Sequence, residues 1–94
     1  MLLRAKRMTY KLLPTKQFIK ILKTQPQSLE NQIKKTLRLL QENPAHPSLR
    51  SRKYQSIEGV WESSINMKYR ILWQYGEEKT DTIVLLVIGD HSIL

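Results

Sequence analysis

The 94-residue sequence contains no cysteine. That excludes a disulfide framework, a thiolate nucleophile and cysteine-ligated zinc, and it suits a cytoplasmic location. Glycine is scarce, at three residues, and none stands in a phosphate-cradling spacing. The two histidines, His46 and His91, lie far apart without a cysteine or a helical i,i+4 partner. No metal site and no cofactor are therefore expected. A Gly-x-Ser-x-Gly elbow is missing too. So is a long apolar run: Ile83 to Ile88 falls far short of the roughly 20 residues a spanning helix needs, and no membrane partner is expected. Met1 to Arg7 is basic but is followed by no apolar stretch, which argues against a secretory signal. These seven residues read as an extension ahead of the fold, with Met1 or Met8 as the start. No repeat, low-complexity segment or linker interrupts the chain, so residues 1–94 read as a single domain.

Acid is what the first half lacks. Residues 1–53 hold 13 Lys and Arg against 2 Asp and Glu, whereas residues 54–94 hold 3 against 6. The total is +8. A basic half on a small domain is the electrostatic footprint of a polyanion or an acidic peptide partner, although such charge also serves plain solubility. Hydrophobic residues make up 40% of the chain, enough for a folded core rather than a disordered tail.

The pattern along the chain gives the order βααββββ. Met8 to Leu13 reads as a strand ended by Pro14, and Thr15 can cap the helix that follows. Phe18, Ile19 and Leu22 share a face of that helix. Pro26 suits the first turn of a second helix, whose stripe is Leu29, Ile33, Leu37 and Leu40. Glu30 and Lys34 form an i,i+4 pair, and Asn43-Pro44 stops the helix. So short a connection predicts a helical hairpin. Leu49 to Ile57 reads as an irregular strand, Glu58-Gly59 as a turn, and Val60 to Asn66 as a strand. After a turn at Met67-Lys68, Tyr69 to Tyr75 alternates, with Arg70, Leu72 and Gln74 on one face. Gly76 to Asp81 reads as a polar hairpin loop. Thr82 to Ile88 is apolar throughout, as in a central strand covered on both faces. Helices grouped at one end of the sequence indicate an α+β fold.

Chemistry is carried by cations and polar strand residues. Arg70 stands in a strand that should be apolar, on the face shared with Glu62, Ser64, Asn66 and Gln74. Arg50, Arg52 and Lys53 precede that part of the sheet, and His91 follows the last strand. Arginine grips phosphate with two parallel hydrogen bonds, histidine moves protons near neutral pH, and a carboxylate of raised pKa can act as a base. Each has a plainer reading. Arg70 can pair with Glu62, the basic run can be a charged edge that resists aggregation, and His91 can be an ordinary loop residue. Trp61, Trp73 and Tyr69 read as core rather than as base-stacking platforms, and His46 between prolines reads as inert.

Several of these features together resemble the RelE/ParE toxin superfamily of bacterial type II toxin–antitoxin systems. They are the basic βαα start, the Asn43-Pro44 stop, Leu49 before a basic run, Gly59-Val60-Trp61, Tyr69-Arg70-Ile71-Leu72-Trp73 and Ile88-Gly89-Asp90-His91. The resemblance covers residues 8–94. It implies a microbial-ribonuclease-like fold, a helical hairpin on a curved antiparallel sheet. It also implies a cognate antitoxin partner and, for ribonuclease members of the RelE-, YoeB- and YafQ-like branches, metal-independent cleavage of mRNA in the ribosomal 30S A site. By position, Arg70 matches the phosphate-stabilising arginine and His91 the proton-transferring histidine. Arg50, Arg52 and Lys53 match the RNA-binding cations. Glu62 has no matching catalytic position but is a candidate base. The chain departs from the pattern at Glu62-Ser63-Ser64, where members often carry Lys or Arg, and no tyrosine follows His91. ParE-like members share the fold and inhibit DNA gyrase without nuclease chemistry. That activity, or a degenerate RNA- or protein-binding role, is the alternative expectation.

Overall fold

The computed structural model describes residues 9–77, 81–92 and 94. The residues 1–7 extension, Met8 and part of the Gly76–Asp81 loop lie outside them. The elements run β1 (Lys11–Pro14), α1 (Lys16–Lys23), α2 (Gln27–Glu42), a 3-10 turn (Pro47–Leu49), β2 (Arg52–Lys53), β3 (Trp61–Ser64), β4 (Tyr69–Tyr75) and β5 (Thr82–Asp90). This is the α+β, βααββββ arrangement, two helices packed on one five-stranded sheet of order β1-β5-β4-β3-β2. Strands β2 to β5 pair antiparallel, whereas β1 lies parallel to β5, so the sheet is mixed.

Local chemistry explains the helix ends. Thr15 Oγ1 accepts the Phe18 N–H and donates to the Leu86 carbonyl, so one hydroxyl caps α1 and staples it to β5. Glu30 and Lys34 pair at 3.3 Å on α2, and Asn43, in extended conformation, ends that helix before Pro44. Pro26 sits one position earlier than the first turn, as the N-cap. Leu29, Ile33 and Leu40 are buried with Phe18 against Ile71, Trp73, Ile83 and Leu85 of the sheet. Leu37 packs at the margin, but Ile19 is exposed, because α1 turns only its Phe18 side fully inward.

Three expectations need correction. The first strand begins at Lys11, where β1 first pairs with β5. The Leu49–Ile57 stretch forms only the two-residue β2. Pro47 starts a 3-10 turn ahead of it, Arg50 enters the left-handed region at φ 49°, and a turn follows Tyr54. Strand β5 is fully covered on one face and partly on the other: Ile83, Leu85 and Ile88 are buried under the helices, whereas Val84, Leu86 and Val87 are half-buried. An irregularity in the β4–β5 ladder sets Leu72 opposite Val87 and Trp73 opposite Leu85, which leaves Leu86 as the extra residue.

Buried polar groups in the core are satisfied. Ser63 is fully buried and its Oγ accepts Trp73 Nε1–H at 2.8 Å. The Ser51 and Ser63 hydroxyls lie 2.7 Å apart, and Ser51 also donates to the Pro44 carbonyl. This chain of bonds fixes the loop after α2 to the sheet.

Candidate functional site

The helix-free face of the sheet carries the candidate residues. Register places Arg52 opposite Glu62, Glu62 opposite Leu72, Ser64 opposite Arg70 and Arg70 opposite Gly89, so these side chains share one face. Glu62 is buried between two guanidinium groups. Its Oε1 lies 3.2 Å from Arg52 Nε and its Oε2 lies 4.0 Å from Arg70 Nε. Arg52 is largely exposed, whereas the Arg70 side chain retains only 16% exposure. Arg70 Nη1 donates to the carbonyls of Asn66, Met67 and Tyr69, at 2.6, 3.3 and 3.1 Å. Asn66 lies in the β3–β4 turn rather than on the strand face. Its Oδ1 accepts the N–H groups of Lys68 and Tyr69, and its Nδ2 donates to Gln32 on α2.

A cleft of about 260 Å³ opens over this face, lined by Arg52, Lys53, Tyr54, Gln55, Ser56, Glu62, His91 and Leu94. It unites four of the six residues singled out from the sequence. Arg70 is one layer deeper, reached through Glu62. Arg50 is elsewhere, on the wall of a second cleft toward the helices. Tyr54 escaped the sequence reading, because its position in an irregular segment follows no alternation.

The β3–β4 turn and the end of β5 hold His91 in place. Its backbone N–H donates to the Lys68 carbonyl at 2.7 Å, and its side chain is exposed. Ser92 donates its N–H and its hydroxyl to Asp90 Oδ1, at 2.8 and 2.9 Å. These bonds, backbone first, hold the Asp90 carboxyl below the usual carboxylate range, with weaker help from Lys68 and His91. Leu94 folds back over Gly89, where an added Cβ would meet Leu94 Cδ2 at 2.8 Å. Glycine at that point makes room for the side chain that closes one end of the cleft.

Among the described residues, no three His, Cys, Asp or Glu side chains cluster as metal ligands, and no helix is long and apolar enough to cross a membrane. The polar groups lining the cleft are the cations Arg52 and Lys53, one exposed imidazole, the Tyr54 phenol, the Gln55 amide, the Ser56 hydroxyl and a carboxylate already paired.

Residues 12–94 match the family model of the ParE toxin of type II toxin-antitoxin system, parDE. The chain belongs to that family. No curated protein matches the sequence. Solved structures widen the kinship in fold. The RelE of the archaeal RelE–RelB complex from Pyrococcus horikoshii OT3 is similar, with a TM-score of 0.74 at 17% identity over 93% of this chain and 100% of that one. The YoeB/ParE toxin from Agrobacterium tumefaciens gives 0.72 at 13% identity, covering 86% and 98%. The E. coli DinJ–YafQ complex gives 0.70 at 15% identity, covering 92% and 97%. The RelE/ParE superfamily resemblance read in the sequence therefore holds, and this ParE-family chain is a toxin of a toxin–antitoxin system.

Proposed function

We propose that this toxin is a metal-independent, ribosome-dependent mRNA endonuclease that inhibits translation in the cytoplasm, held in check by a cognate antitoxin. One observation carries the reading: His91, Arg52, Lys53 and Glu62 line a single cleft, with Arg70 directly behind Glu62. Arg52, Glu62 and Arg70 together keep a net positive charge where a phosphate would sit, which favours the extra negative charge of a phosphorane.

In this reading the RNA 2′-oxygen attacks the adjacent phosphorus and the 5′-oxygen leaves, giving a cyclic phosphate. His91, the exposed imidazole at the cleft, takes the 2′-hydroxyl proton. Tyr54, which lines the same cleft, is assigned as the acid for the departing oxygen, whereas Lys53 pairs with Trp61 in the β2–β3 register and serves as an RNA-gripping cation at the sheet edge. Glu62, with both oxygens directed at guanidinium groups, positions Arg52 and Arg70 rather than moving a proton. Arg50 joins Arg52 and Lys53 as an RNA-gripping cation.

Induced expression with mapping of mRNA 5′ ends tests the proposal. Codon-phased cuts in translated messages are expected, and they should be lost in His91→Ala and greatly reduced in Arg70→Ala. Undiminished cutting by both variants would sink the site assignment.

The second reading is a ParE-like inhibitor of DNA gyrase without nuclease chemistry. It is favoured by the family match and by the tie of Arg70 Nη1 to three turn carbonyls. Intact messages with double-strand DNA breaks would establish it, and harmless expression would leave a degenerate binding role.

A further inference from the structure

A second cleft, of about 340 Å³, opens on the face of the sheet opposite the His91 cleft, between the loop after α2 and strands β3 and β4. One wall is aromatic. Trp61, Trp73 and Tyr75 share the core-facing side, and Pro44 and Pro47 stand against them. Trp73 is sealed in the core, but Trp61 is half-buried and Tyr75 is 37% exposed. Trp61 stacks on Trp73 at 5.9 Å between ring centroids, and Tyr75 meets both edge-on. The accessible ring surface is therefore held rigid before any ligand arrives.

Arg50 stands on the same wall, at φ 49°. Among the described residues it is the one non-glycine with a positive φ. Glycine would adopt that conformation without strain, so a long cation there points to a use outside folding. His46 Nδ1 accepts the Ser48 N–H at 3.0 Å, which makes Nε2 a hydrogen-bond donor. Among the described residues, no acidic side chain lines the cleft. From Arg50, the cations Arg52 and Lys53 continue along the edge strand β2 to the His91 cleft.

We propose that the aromatic cleft is a base-stacking subsite for single-stranded RNA. It takes one unpaired base of the strand whose phosphates pass over Arg50, Arg52 and Lys53 into the His91 cleft. Every base has a π face, so such a platform adds affinity without fixing sequence, and an arginine beside it meets the phosphate. The inference rests on the RNA-cleaving reading for why a strand would lie there.

Trp61 and Trp73 are the only two tryptophans of the chain, so tryptophan emission reports this cleft directly. The purified protein is titrated with a short single-stranded RNA and with an abasic ribose-phosphate oligomer of equal length. The RNA should quench emission, and the abasic oligomer should bind about tenfold more weakly with little quenching. Tyr75→Ala and Arg50→Gly should each weaken RNA binding by about tenfold. Arg50→Gly should unfold at the same or a higher temperature, which separates lost binding from misfolding. Equal affinity for the two oligomers, or unchanged RNA affinity in both variants, overturns the proposal. Quenching by an acidic antitoxin peptide but not by RNA also overturns it, and gives the cleft to the protein partner. Cleavage in a translating extract is read separately. Cleavage without quenching removes the subsite alone, and quenching without cleavage removes the nuclease reading alone.

Discussion

At Glu62 a buried carboxylate faces one exposed and one largely buried guanidinium. The two pairs should therefore differ in weight. Removing Arg52 leaves Glu62 with Arg70, and the exposed pair is worth at most about 1 kcal/mol. Glu62→Ala leaves Arg70 without its carboxylate in a poorly solvated place, and should destabilise the fold by about 2 kcal/mol. Urea unfolding of Arg52→Ala and Glu62→Ala measures the difference; equal losses would contradict this picture. Glu62→Gln keeps the shape and a carbonyl acceptor but has no carboxylate to take a proton. It should retain most of the RNA cleavage if His91 is the proton carrier, and cleavage falling as far as in His91→Ala would restore Glu62 as the base. The sequence exposed Arg70 and Glu62 as neighbours because alternation put both on one face. It gave no sign that the Arg70 guanidinium would turn back to the carbonyls of residues 66, 67 and 69. That contact depends on the closure of the β3–β4 turn, which is set by Asn66 and not by strand periodicity.

Among the elements, those with strong local signals matched their sequence reading. Helix α2 follows its apolar stripe and β4 runs from Tyr69 to Tyr75 as the alternation predicts. The Leu49–Ile57 segment did not, since a left-handed residue and a 3-10 turn break the pleat without any glycine to announce them. Strand β5 misled for another reason. An apolar run is the same whether its second face meets helices or stays half open, so Val84, Leu86 and Val87 gave no means of telling. The junction of α1 with β5 is the most testable joint. Thr15→Ala removes both the cap to Phe18 and the bond to Leu86, and should cost about 1–2 kcal/mol. Thr15→Ser keeps both bonds and should cost well under half of that, as thermal unfolding of the pair of variants will show.

For the whole molecule, the net charge of +8 should govern encounter with acidic partners. Association with an acidic antitoxin should slow by at least about tenfold between roughly 0.05 and 0.5 M salt, while the dissociation rate changes much less. Stopped-flow measurement of both rates checks this, and salt-independent association would show that the charge takes no part. The parallel pairing of β1 with β5 has a different bearing, on when the toxin becomes a toxin. Thr15 and Leu86, which tie the two ends of the fold together, stand 71 positions apart. During synthesis β1 and both helices emerge well before the strand they must dock on. Gly89, which faces Arg70, and His91 come later still. A nascent chain therefore carries an unfinished sheet until β5 leaves the ribosome. The cleft can assemble only after β5 and His91 have emerged and docked, so the order of the residues along the chain sets when the site first exists.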